Sequence, residues 1–286
     1  MAKLLKGKDV AAALNAKSAQ KAEALKEKGI IPVLAILRVG EKGDDISYEK
    51  GAMKRCSAAG VEVKNVVLPE DVSQEEFYQT IDDLNHDPSV HGILMFRPLP
   101  KYLDNEKARN AIAPEKDIDG CSDGSLAGVF TGNGRGFAPC TAEAAIAILE
   151  YYGIDITGKN AVIIGRSLVV GRPLAMMLMA KNATVTVCHT RTQNMAEITR
   201  KADIVISCMG RIEILDSSFF SPGQTVIDVG ITWSNEKQKV CGDCLFEEVE
   251  PVVKAITPVP GGVGAVTTSL LVKHVIEAAE KTETQS

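Results

Sequence analysis

Two stretches of this sequence carry residue types whose spacing suits the binding of phosphates. The first is Gly165-Arg-Ser-Leu-Val-Val-Gly171 with Arg172 and Pro173 after it, set between the apolar run Ala161-Val-Ile-Ile164 and an apolar helical run ending near Lys181. A strand, a glycine turn and a helix in that order lay a pyrophosphate on unpaired N–H groups at the positive end of the helix. Gly165 permits the tight turn, Gly171 lets the helix pack close to the sheet, and Pro173 suits a first helical turn, where no N–H is missed. Ser167 stands where the common GxGxxG pattern has its middle glycine, so the turn taken alone also reads as a plain connector. The second stretch, Val187-Cys-His-Thr-Arg191, closes the next strand-like run. An acid usually sits there to hold a ribose 2′-hydroxyl. This stretch has none, and Arg191 with Arg166 can pair a 2′-phosphate instead, which favours NADP and does not exclude NAD. Two solvated surface arginines would look the same in a sequence.

Other chemistry is poorly supported. Cys241-Gly-Asp-Cys244 is the one CxxC, with no second cysteine pair, and the histidines at 86, 91, 189 and 274 have no metal-ligand spacing, so no metal is expected. Seven cysteines, an odd number spread along 286 residues, do not form a secreted disulfide framework; most are expected to be buried thiols. With 32 Lys+Arg against 37 Asp+Glu the net charge is -5, which offers no general attraction for nucleic acid or an anionic membrane. No apolar run approaches the ~18 residues that span a bilayer. Charges in Met1-Ala-Lys-Leu-Leu-Lys-Gly-Lys-Asp9 occupy the place of a signal peptide's apolar stretch, and the expectation is a cytoplasmic protein.

The strands and helices around these groups follow from periodicity. Ile31 to Arg38, Val61 to Leu68 and Val90 to Phe96 are short apolar runs of the kind buried on both faces of a parallel sheet. Helical patterns fill the gaps, one over about 46–59 with Asp44 or Asp45 as N-cap, one over about 74–85 with Ser73 and Glu76 as a capping box. After the glycine-rich Thr131–Gly136 come a helical run over about 141–152 and the strands Ala161–Ile164, Ala183–Val187, Ile204–Ile206 and Thr225–Asp228. Such alternation predicts an α/β protein of two α/β domains, the second a Rossmann-type dinucleotide-binding domain. The expected division is 1–140 and 141–261, with a last helix in 262–286 packing back on the first domain.

The runs Pro98-Leu-Pro100, Pro114-Glu-Lys-Asp-Ile-Asp-Gly120, Pro139-Cys-Thr141, Gly165-Arg-Ser167, Asp228-Val-Gly-Ile231 and Thr257-Pro-Val-Pro-Gly-Gly-Val-Gly264 occur in this order. Together the sequence resembles the methylenetetrahydrofolate dehydrogenase/methenyltetrahydrofolate cyclohydrolase family over essentially its whole length. The resemblance implies a homodimer acting on tetrahydrofolate derivatives, with a cleft between a folate-facing domain and a cofactor domain. It implies oxidation of 5,10-methylenetetrahydrofolate by NAD(P)+ and hydrolysis of the methenyl product to 10-formyltetrahydrofolate. By the same resemblance Tyr48 stacks on the folate, Asp119 hydrogen-bonds its pterin ring, and Pro100 and Gly262-Val263-Gly264 wall the site. Gly165, Arg166, Ser167, Thr190 and Ile231 match cofactor contacts.

Three departures fall on one polar network of that family. A lysine four residues after the tyrosine is here Ala52, a glutamine two residues before Pro-Leu-Pro is Phe96, and a serine three residues before the tyrosine is Asp45. Alanine moves no proton and phenylalanine orients no water. Lys50 and Lys54 fall on other helix faces, Arg55 does not deprotonate, and strand alternation should turn Arg97 away from the glutamine's direction. The expectation is a dehydrogenase with little or no cyclohydrolase activity. An ordinary bifunctional enzyme with a substitute proton carrier, one involving Asp45 among them, and a silent NADP- or folate-binding protein remain the alternatives.

Overall fold

The structure, a computed structural model, describes residues 1–283, with the side chains of Asp44, Ser47, Tyr48 and Glu283 outside the described residues. The strands are β1 (Lys3–Leu4), β2 (Val33–Val39), β3 (Glu62–Leu68), β4 (Gly92–Met95), β5 (Asn160–Ile164), β6 (Thr184–Cys188), β7 (Ile204–Ser207), β8 (Thr225–Asp228), β9 (Thr232–Ser234), β10 (Lys239–Cys241) and β11 (Ala255–Ile256). The helices are α1 (Gly7–Glu27), α2 (Gly43–Ala58), α3 (Gln74–His86), α4 (Asn105–Ala111), α5 (Asp123–Thr131), α6 (Cys140–Tyr151), α7 (Gly171–Ala180), α8 (Met195–Thr199), α9 (Phe246–Val249) and α10 (Thr267–Glu283). Two compact units result, one of Met1–Ala12 with Thr141–Thr267, the other of Ala13–Cys140 with the segment from Thr268 onward.

The second of these units is built on a parallel sheet in the order β3-β2-β4, with Leu34 opposite Gly92 and Leu37 opposite Met95. β2 and β4 are buried on both faces, as their unbroken apolar runs require. Phe77, Ile81 and Leu84 form the apolar stripe of α3 and pack on Leu37, Ile93 and Leu103, each burial stabilising the fold by roughly 1.5–3 kcal/mol. Ser73 Oγ caps α3 by accepting from the Glu76 N–H at 3.1 Å.

Two expectations change here. β3 is an edge strand and largely exposed, because only β2 pairs with it among the described residues. α2 starts at Gly43 with Lys42 as its N-cap and no side-chain cap bond; Asp44 and Asp45 instead fall inside the helix, the Asp44 side chain lying outside the described residues. α1 went unread because its alanine, lysine and glutamate give little apolar periodicity.

The other unit carries a six-stranded sheet, β1-β11-β8-β7-β5-β6, parallel throughout. Its core gathers Val162, Ile164, Val205, Val226 and Ile256 on one face. Met1–Ala12 belongs with this unit rather than with the residues that follow, because Lys3 and Leu4 pair with Ala255 and Ile256 and extend the sheet by one strand. β9 and β10 form a separate antiparallel hairpin.

Candidate active site

In the three-stranded unit the functional residues collect where β4 ends. Asp119 lies in the turn Asp117–Gly120, which Asp117 ties down by accepting from the N–H groups of Cys121 at 3.1 Å and Ser122 at 2.7 Å. Burial pushes the Asp119 carboxyl up to about 6, and the Arg97 guanidinium opposes that push. Arg97 Nη2 is 3.8 Å from Asp119 Oδ2, so the Arg97 side chain reaches the Asp119 carboxylate, while the preceding Phe96 is buried. The Lys42 ammonium donates to the Pro98 carbonyl at 3.4 Å, which sets the start of α2 beside the Pro98–Pro100 segment. Tyr48 belongs to α2, but its side chain lies outside the described residues.

Position 52 is 1% exposed and sits with Glu49 and Cys56 on the buried stripe of α2. Phe96, 8% exposed, continues the β4 pairing, its N–H donating to the Leu37 carbonyl at 2.9 Å. One further step in that register puts Phe96 beside Arg38. Arg38 is itself buried, with Nε donating to Glu49 Oε2 at 2.7 Å and Nη1 to the Gly40 carbonyl. Asn65 donates to the other Glu49 oxygen at 3.3 Å. No local pattern announces this pair, since its partners come from a strand and a helix and each reads as a surface charge.

In the six-stranded unit the glycine turn follows β5 as its spacing implies. Gly165 has φ +134°, and a β-carbon there would fall 2.6 Å from the Cys208 carbonyl oxygen at the end of β7. A β-carbon on Gly171 would fall 2.2 Å from the Gly165 carbonyl oxygen, so the first turn of α7 rests on the turn itself. Ser167 Oγ accepts from the Val170 N–H at 3.1 Å. Arg166, Ser167, Thr190 and Arg191 are exposed around this turn's end of the sheet. His189 Nδ1 accepts from the Arg191 N–H at 3.1 Å and fixes the backbone after β6. Ile231 is exposed, and its Cδ1 lies 2.6 Å from where a Gly264 β-carbon would stand, so the structure brings Ile231 and Gly264 together. Gly262 and Val263 are buried beside them.

The residue that matters in Cys241-Gly-Asp-Cys244 is the aspartate. Asp243, wholly buried, accepts from Ser207 Oγ at 2.6 Å and from the N–H groups of Met209 and Arg211 at 2.7 Å. Asp228 accepts from the N–H groups of Gly230, Asp243 and Cys244 at 2.9–3.1 Å, and burial pushes its carboxyl up to about 6. These two acids shape the loops after β7 and β8. Both cysteines are free and buried, burial holds the Cys244 thiol well above its ordinary range, and no metal-ligand cluster occurs among the described residues.

Two family models match the chain. "Tetrahydrofolate dehydrogenase/cyclohydrolase, catalytic domain" matches residues 5–119, and the NAD(P)-binding domain of the same name matches residues 139–283. A bifunctional protein FolD of Clostridium botulinum is 48% identical over 98% of this chain and 99% of its own. The crystal structure of the bifunctional dehydrogenase/cyclohydrolase of Campylobacter jejuni superposes with a TM-score of 0.94 at 38% identity, over 99% of this chain and 100% of that one. The Trypanosoma brucei enzyme, complexed with NADP cofactor and inhibitor, gives 0.89 at 32% identity over 99% and 98%.

Proposed function

The chain belongs to the tetrahydrofolate dehydrogenase/cyclohydrolase family, and from that premise we propose that it oxidises 5,10-methylenetetrahydrofolate to the 5,10-methenyl form with NADP+ while catalysing the next step, hydrolysis to 10-formyltetrahydrofolate, weakly or not at all. One observation carries the second half: the positions of the family's lysine and glutamine hold Ala52 and Phe96, both buried and both without a group that transfers a proton. The cation beside them, Arg38, is committed to Glu49 and Gly40, and a guanidinium does not deprotonate in the working range.

The cradle fits a dinucleotide. Gly165 and Gly171 leave no room for β-carbons where two backbones meet, which lets a pyrophosphate approach the turn closely, with the exposed Arg166 and Ser167 side chains as donors beside it. Arg166 and Arg191, with Thr190, supply donors for a 2′-phosphate, and Ile231 an apolar wall. The nicotinamide, when bound, supplies the hydride acceptor. Tyr48, Pro100, Asp119 and the segment Gly262-Val263-Gly264 hold and orient the folate. Above about pH 6 the ionised Asp119 accepts N–H groups of the pterin, with Arg97 favouring that charge. Hydride loss needs no protein base, because the substrate's own nitrogen lone pair stabilises the cation that forms. The dehydrogenase therefore survives substitutions that remove the hydrolase.

The names of relatives at 47–48% identity favour a second reading, an enzyme that keeps both activities. It requires a substitute proton carrier, for which the half-buried Asp45 in the first turn of α2 is the candidate. The test is a stopped assay with 5,10-methylenetetrahydrofolate and NADP+, following reduced cofactor and methenyl product separately. Methenyl that accumulates one-for-one and decays as in buffer supports the dehydrogenase alone; faster decay favours the second reading.

A cytoplasmic homodimer completes the proposal. The open edge of β3 is its natural seam, with exposed Val67, Met53 and Ile31 around it and a recess of about 550 Å³ between β3, α1 and α2. Val67→Arg should then sediment as a monomer.

A further inference from the structure

The last helix reaches the turn that carries Asp119. His274 of α10 is 1% exposed, and its Nδ1 lies 2.7 Å from the Ile118 carbonyl oxygen. A carbonyl has no proton to give, so Nδ1 carries the hydrogen and donates it. Cys140, the first residue of α6, donates its thiol hydrogen to the same oxygen at 3.4 Å. The His274 ring stands 4.9 Å from that of Phe137 at an interplanar angle of 30°. Gly120, with φ +64°, presses its backbone on the same segment, where a β-carbon would fall 2.5 Å from Pro139 N. On the far side, a β-carbon at Gly92 would fall 2.7 Å from the Ile118 side chain. The residues before and after Asp119 are thus gripped by β4, α6 and α10, and nothing in hydride transfer or hydrolysis uses His274.

We propose that His274 is a positioning residue for the reaction, its Nδ1–H locking the Ile118–Asp119 peptide so that the Asp119 carboxylate is aimed at the pterin. The inference rests on the assignment of Asp119 to the folate. Rotation of that peptide swings the carboxylate away while leaving the fold intact, and small misplacements of a bound substrate are costly to hydride transfer.

The test compares His274→Leu and His274→Ala with His274→Asn, whose side-chain amide can offer a donor near the place of Nδ1–H. Full-length protein is assayed for the KM of methylenetetrahydrofolate, the KM of NADP+, kcat and Tm, with Asp119→Asn as the reference. The apolar variants should raise the folate KM about tenfold, the scale of one lost buried hydrogen bond, with the NADP+ KM within about twofold. The asparagine variant should stay within about threefold of the parent on every constant. If one apolar variant fails to fold, the other carries the comparison. The proposal is overturned if Asp119→Asn raises the folate KM while the folded apolar variant does not, or if asparagine loses as much as leucine. An unchanged folate KM in Asp119→Asn overturns the Asp119 assignment and the role of His274 with it.

Discussion

Restoring both missing polar groups should create a cyclohydrolase. Position 52 is 1% exposed, so Ala52→Lys drives three further methylenes and an ammonium into a filled space, an overpacking cost of about 1–3 kcal/mol. At roughly 2–4 °C per kcal/mol the single variant should lose about 2–12 °C in Tm. It also gains little function, because Glu49, three residues earlier on the same stripe, is already bonded to Arg38 and Asn65. Phe96→Gln replaces a bulky ring with a smaller side chain and an amide that can orient the lysine and a water. The two changes should therefore couple, with the double variant more stable than the sum of the singles. General acid–base catalysis contributes about 10²–10⁴ in rate, so methenyl decay with Ala52→Lys/Phe96→Gln should exceed that of the parent by at least about a hundredfold. The assay generates methenyltetrahydrofolate in the cuvette with NADP+ and follows its loss after the dehydrogenase burst, which itself reports a folded enzyme. A double variant that makes methenyl normally and then lets it decay at the buffer rate would refute the reasoning.

Three further outcomes follow from the geometry. Glu49→Leu leaves the Arg38 guanidinium, its side chain 10% exposed, buried without its partner and should cost roughly 3–5 kcal/mol by denaturant titration, whereas Arg38→Met/Glu49→Leu should lie within about 2 kcal/mol of the parent; equal losses would show that the pair is not the cause. Asp119 has a folded pKa raised from 3.8 to about 6, so its contribution to stability is complete below about pH 4 and is lost as pH rises through 6. Asp119→Asn should then be more stable than the parent at pH 7.5 by under about 1 kcal/mol, since 40% of the side chain is exposed, with the gap closing towards pH 4; a gap constant with pH in Tm scans contradicts this. Gly171→Ala, whose β-carbon meets the Gly165 carbonyl at 2.2 Å, should weaken NADP+ binding at least about tenfold in a fluorescence titration, and an unchanged Kd would remove the turn from the cofactor site.

Much of the scaffold was legible because its causes are local. The apolar runs of β2 and β4, the Ser73 cap of α3 and the glycine turn before α7 all stand where period and turn chemistry put them. Local pattern also misled where pairing decides. Val61 to Leu68 suggests a buried strand, yet it carries Glu62, Lys64 and Asn65, and β3 lies at the sheet edge, where no further strand of the described chain pairs with it. The first residues joined the distant strand β11 rather than their neighbours in sequence, a choice made by one short backbone ladder between Lys3–Leu4 and Ala255–Ile256.

The site divides in the same way. Residue identity alone carried the likeness to the folate enzymes, the glycine turn, and the absence of an ionisable side chain at 52 and 96, since each is a statement about what a side chain can or cannot do. Packing alone brings Arg97 to Asp119, buries Arg38 against Glu49, makes Asp243 rather than its flanking cysteines the organiser of the loop after β7, and sets His274 on the carbonyl of a residue 156 positions earlier. Those contacts depend on where whole helices and strands come to rest, and a buried charge or donor takes its partner from whatever the packed fold brings within about 3 Å.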